Sequence, residues 1–164
     1  MPPERTIIAV IGVTSLLAVL IALTSQYLFD MAPCAWCVFQ RLIYLTITTV
    51  CLISVLLKPA RLGSSLVLAA ILSLCAAGVA AAWYQAQVAS NSFSCVQSAA
   101  DQIMTKSGLE SAMPWLFGIY ASCMDARVKV FGLEYAYWSL MLFSLLGLVA
   151  ALALANLTRQ TQAK

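Results

Sequence analysis

The sequence predicts an all-α membrane protein: a bundle of four transmembrane helices with a long second loop outside the bilayer. Three observations carry that reading. First, the 164 residues are 63% hydrophobic and only 9% charged, with a mean hydropathy of +0.94. A soluble domain is nearer a quarter charged, so this chain has too little polar surface to live in water. Second, the apolar residues arrive in four blocks, about 7–28, 38–57, 64–83 and 135–157, and only Arg41 interrupts them. Each block is close to the roughly 20 residues that cross a bilayer. Third, the charges between the blocks sort by side, as expected of a chain threaded through a membrane. Residues 1–164 therefore read as one integral-membrane domain.

The first block follows a short tail, Met1 to Thr6. Its apolar part is longer than the 7–15 residues of a signal peptide, and no A-x-A-like site follows before Asp30, so it reads as a retained span. Tyr27, Phe29 and Trp36 supply aromatic groups at interface depth. Asp30-Met31-Ala32-Pro33 is a tight link. Pro33 disfavours helix at Ala32 and suits the start of the next helix, which places Cys34 in its first turn. Lys58-Pro59 stops that second helix.

The third block is rich in small residues, with Ser73, Ala77 and Ala81 in one row and Gly78 with Ala82 in another. Such rows let helix backbones approach closely in lipid, and packing within the one bundle is the favoured reading over dimerisation. The loop 84–132 is far longer than a helix connection needs, which marks it as functional. Its run Met113 to Tyr120 is too short to span and too apolar to float free. It reads either as a segment on the membrane face, anchored by Trp115 and Tyr120, or as packing against the bundle.

Orientation follows from lysine and arginine. Arg5, Lys58, Arg61, Arg159 and Lys164 lie on the side of both termini, with Glu4 the one acid there. Arg41, Lys106, Arg127 and Lys129 lie on the other side with five acids. The positive short loops place both termini in the cytoplasm and the loops 30–37 and 84–132 outside. The net charge of +3 is this orientation signal and asks for no nucleic-acid partner.

Topology also sorts the six cysteines. Cys51 and Cys75 fall inside helices two and three, where a free cysteine is usually a small, inert hydrophobe. Cys34, Cys37, Cys95 and Cys123 lie on the outer side, which in a bacterium is oxidising. Local spacing favours the pairs Cys34–Cys37 and Cys95–Cys123, although four cysteines allow three connectivities. A bridge closing Cys34 to Cys37 constrains little chain, so stapling explains it badly. C-x-x-C is instead the spacing of thiol–disulfide redox centres. With one C-x-x-C and no histidine in the chain, a zinc shell is disfavoured.

The electrons of such a centre need an acceptor. The chain has no nucleotide or flavin fingerprint such as GxGxxG, whereas the membrane supplies quinones. Arg41 lies four residues beyond Cys37, on the same face of a helix. It would snorkel to the surface, or it would hydrogen-bond a quinone oxygen and stabilise the reduced, anionic ring; the shared face favours the second role.

These residues resemble the DsbB family of bacterial inner-membrane disulfide-forming oxidoreductases. The likeness covers nearly the whole chain: four spans, Pro33-Cys34-x-x-Cys37-x-x-x-Arg41, a long second outer loop carrying Cys95 and Ser122-Cys123, then Phe131-Gly132-Leu133-Glu134 leading to Trp138. The resemblance implies that Cys95 accepts attack from a DsbA-like periplasmic protein of thioredoxin fold, that Cys123 passes electrons to Cys34, and that Cys37, poised by Arg41, reduces ubiquinone or menaquinone. It implies neither metal nor flavin. Some relatives carry a histidine near the end of helix three; this chain has Trp83-Tyr84-Gln85-Ala86, so a quinone contact there would fall to Gln85 or Tyr84. Ala136 stands where a proline is usual, and Val128 where an aromatic is usual. Two other readings compete. A vitamin K epoxide reductase-like protein would carry its C-x-x-C late in the chain, and a non-enzymatic disulfide-stapled scaffold would need no reactive thiol.

Overall fold

The computed structural model describes residues 3–89 and 98–162. Four long helices, α1 (Pro3–Leu28), α2 (Ala35–Leu57), α3 (Arg61–Gln87) and α7 (Tyr135–Gln162), are each long and apolar enough to cross a membrane. Between α3 and α7 lie three short helices, α4 (Ala99–Ser107), α5 (Leu109–Ala112) and α6 (Pro114–Phe117), and an antiparallel hairpin of β1 (Lys129–Val130) and β2 (Leu133–Glu134). The protein is thus an all-α membrane bundle with a small outer cap.

The ends of the helices follow from local chemistry. Lys58 adopts a left-handed conformation (φ 50°) and donates its N–H to the Ser54 carbonyl, a helix stop reinforced by Pro59. Arg5 ties α1 to this turn by donating to the Lys58 carbonyl at 3.1 Å. Ser98 and Asp101 form a reciprocal capping box at the start of α4, and Gly108 ends that helix at φ 69°.

α3 packs along α7, α1 along α2, and α2 meets α3 to close the bundle. The centre of the core is a stack. Tyr44 of α2 lies flat on Phe143 of α7 (4.0 Å between ring centres, 6° between planes). Phe143 in turn fills the space left by the missing side chain of Gly78, where a Cβ would come within 2.5 Å of its ring. Gly12 gives Cys51 the same close seat on α1. The small-residue rows of α3 therefore divide. Gly78 and Ala82 are buried in the bundle as expected, whereas Ser73 and Ala77 are exposed and only Ala81 of their row turns inward. Four residues advance 400° on a helix, so a row drifts off the buried face within two steps.

The apolar run in the long loop packs against the bundle through part of its length. Leu116 and Phe117 are buried against the bundle, while Trp115 and Tyr120 face outward. The run is pinned by Tyr27, whose hydroxyl donates to the Trp115 carbonyl at 2.6 Å.

Candidate functional site

The site forms where the long loop lies across the start of α2. The Pro33 carbonyl accepts the backbone N–H groups of Tyr120 (3.0 Å) and Ala121 (3.3 Å), which keeps the chain before the helix extended. Cys34 is consequently not in the first helical turn, as the sequence suggested. It is the N-cap, extended at φ −90° and ψ 171°, with its carbonyl accepting from Val38. Its side chain is completely buried.

The same crossing loop delivers a third sulfur. Cys34 Sγ stands 2.7 Å from Cys123 Sγ and 3.4 Å from Cys37 Sγ, so it lies in reach of both. All three are thiols here. The hydrogen bond with Cys123, that with Cys37, and burial together hold the Cys34 thiol well above the ordinary thiol range. Cys95, the fourth outer cysteine, lies outside the described residues. Cys51 and Cys75 are buried in the bundle core, away from this group.

Cys37 lies within the first turn of α2, where its sulfur also meets α3. Gln85 of α3 donates from Nε2 to its sulfur at 3.1 Å. The carbonyl oxygen of the same amide accepts from Gln40 Nε2 at 2.7 Å. Arg41 is buried and held like a fixed fork: Nη1 donates to Gln26 Oε1 of α1 (2.6 Å) and to the Leu116 carbonyl (3.3 Å), and Nη2 reaches the Ala22 carbonyl at 3.5 Å. It does not snorkel. Tyr84, by contrast, is on the outside, against the ring of Trp36 at 4.9 Å.

Cys37, Gln40, Arg41 and Gln85 all border one cavity of about 520 Å³, between α1, α2 and α7 and beneath the hairpin. Its remaining wall is almost wholly apolar, with Tyr44 and Ser139 deeper in, and Val128 and Ala136 are both part of it. Ile21, Met141 and Leu145 line it and are also exposed on the outer surface of α1 and α7, so the cavity opens sideways, towards the bilayer. Two polar residues escaped the sequence reading: Gln40, on the cavity wall, and Gln26, which holds Arg41 from α1. A signal existed: each is an uncharged polar residue inside an apolar block, a position that in a membrane calls for a partner.

Comparison with known proteins supplies the family of the chain. The sequence model described as "Disulfide bond formation protein DsbB" matches residues 4–153. Among relatives, a "Disulfide bond formation protein B" of Dechloromonas aromatica is 34% identical over 152 residues, covering 90% of this chain and 89% of the relative. One of Herminiimonas arsenicoxydans is 29% identical over 150 residues, covering 90% and 93%. A third, of Stutzerimonas stutzeri, is 30% identical over 146 residues, covering 87% and 88%. The chain belongs to the DsbB family and is a multi-pass, disulfide-forming oxidoreductase of the membrane.

Proposed function

We propose that this DsbB-family protein takes two electrons and two protons from a soluble DsbA-like dithiol protein and delivers them to a membrane quinone, ubiquinone or menaquinone. One observation carries the reading: the sulfurs stand in the order Cys123, Cys34, Cys37, and of these three only Cys37 borders the cavity.

The exchange balances as follows. A thiolate of the reduced partner attacks Cys95 of a Cys95–Cys123 disulfide, and Cys123 leaves as a thiolate. Cys123 attacks Cys34 of a Cys34–Cys37 disulfide, forming the Cys34–Cys123 bond and releasing Cys37 with the electron pair. The partner's second thiolate resolves its mixed disulfide, so the partner departs oxidised and Cys95 is freed. Cys95 attacks Cys123, the outer pair is restored, and the two electrons rest on Cys34 and Cys37.

The cavity fits a quinone. Its volume lies within the range of small-molecule sites, its wall is mostly apolar, and Gln40, Arg41 and Gln85 border the end at Cys37. Arg41, Gln40 and Gln85 would hold the ring oxygens, with Cys37 beside the ring. A bound quinone supplies a two-electron, two-proton acceptor that leaves as the quinol, restoring the Cys34–Cys37 disulfide. The guanidinium of Arg41 and the Gln85 N–H complement negative charge at that end of the cavity. The distribution of lysine and arginine supports a bacterial inner-membrane protein with both termini cytoplasmic and the cysteines periplasmic.

The test is quinone reduction by the purified protein supplied with a reduced DsbA-like partner. Quinone consumption should match partner dithiol oxidised, vanish with Cys34→Ser, Cys37→Ser, Cys95→Ser or Cys123→Ser, and persist with Cys51→Ala and Cys75→Ala. Partner oxidation without quinone loss overturns the reading, and unchanged oxidation with Cys34→Ser favours a scaffold.

A further inference from the structure

The hairpin between Cys123 and α7 carries no sulfur but puts Val130 and Phe131 on the cavity wall, and its tip is unusual. Phe131 and Gly132 are both left-handed, at φ 52° and 83°, the pattern of a two-residue type I′ turn. The first position of that turn suits Asn, Asp or Gly; a phenylalanine there bears a backbone cost. Burial inside the protein does not offset it, because Phe131 is 94% exposed.

Its surroundings are those of the end of a membrane span. The Phe131 ring meets the ring of Trp138 edge to face at 6.4 Å, and Trp138 Nε1 donates to the Val130 carbonyl at 3.1 Å. Trp138 is in the first turn of a membrane-spanning helix, so the hairpin tip is tied level with the end of that span. Below it Met141 and Leu145 continue the same exposed stripe down α7. At this end of the bundle α1, α3 and α6 present the exposed aromatics Tyr27, Trp83 and Trp115, and Phe29 follows just after α1, in the manner of an interfacial girdle. The Arg127–Glu134 ion pair stands at the base of the hairpin, leaving the tip apolar.

We propose that the hairpin tip is a lipid-binding anchor: Phe131 is seated at the boundary of headgroups and acyl chains, extending the lipid-facing stripe of Trp138 and flanking the side opening of the cavity. The partner is the bilayer itself. The proposal rests on the membrane spans and not on the electron path, so either can fail alone.

The test installs the photo-crosslinker p-benzoylphenylalanine in place of Phe131 in the full chain. The protein is reconstituted in phosphatidylcholine–phosphatidylglycerol vesicles with the reduced DsbA-like partner present. Irradiation should give phospholipid adducts at 131 by mass spectrometry, severalfold above the same crosslinker in place of Gln102 on the exposed side of α4. Placement at Leu133, beside the tip and also exposed, should give lipid adducts too, which covers the case in which the change at 131 disturbs folding. Adducts confined to the soluble partner or to a second copy of the chain, or lipid adducts no more frequent than at Gln102, overturn the proposal.

Discussion

Gln85 donates to the sulfur of Cys37 at 3.1 Å, and it can do so because Gln40 occupies the other end of its amide. A carboxamide has one donating and one accepting end, so a donor at its oxygen fixes which end faces the thiol. Gln40 thereby orients a group on another helix, although it touches no sulfur by any hydrogen bond in this network.

Gln40→Leu should therefore behave like Gln85→Leu. Each should slow electron delivery from the Cys34–Cys37 pair by about tenfold, the effect of losing a hydrogen bond worth ~1.4 kcal/mol. Exchange with the soluble dithiol partner should be unchanged. In the Gln85→Leu background, Gln40→Leu should add almost nothing, because coupled residues are not additive. Stopped-flow measurement of the two half-reactions checks this, and full additivity would refute the coupling.

Arg41 is held by three acceptors arranged for a planar fork. A lysine cannot reproduce that geometry. Arg41→Lys should recover little of the quinone dependence lost in Arg41→Ala, with KM for quinone raised more than the KM for the dithiol partner. Gln26→Leu should show the same split in weaker form, since it leaves the other two contacts. Steady-state kinetics with each substrate varied in turn is the measurement.

The Cys34 thiol is held above its ordinary value chiefly by Cys123, then by Cys37 and burial. A raised value means less thiolate at a given pH, so in the fully reduced protein Cys34 should alkylate slowly at about pH 8, close to the ~8.5 of a free thiol. Its rate should still be climbing at higher pH, where a free thiol has levelled off. Cys123→Ala should move that climb to lower pH. Peptide mapping after timed iodoacetamide treatment reads the profile; an unshifted profile in Cys123→Ala would count against the contact.

Gly78 accepts the Phe143 ring with no room for a side chain. Gly78→Val should destabilise the bundle by roughly 1–3 kcal/mol, the usual cost of overpacking. Ala77→Val, one residue away on the exposed surface, should be close to neutral. Thermal unfolding in detergent, followed by size-exclusion chromatography, distinguishes the two.

The sequence by itself determined the four helices, because spans of about twenty apolar residues can only satisfy their backbone in lipid as helices. It also determined which cysteines share a side, since helix count alone fixes that. Pro33, Cys34, Cys37 and Arg41 were legible as a unit through local spacing. What spacing could not supply was anything set by contact across the bundle. Only the tertiary structure placed Cys123 against Cys34, a relation made by a loop folding back on Pro33. It moved Cys34 out of the helix because two backbone donors of that loop claim the Pro33 carbonyl. It turned Arg41 towards α1 and α6, and it paired Gln85 with Gln40 and Cys37 across two helices. A polar atom buried in a membrane must find a partner, but which partner is decided by packing.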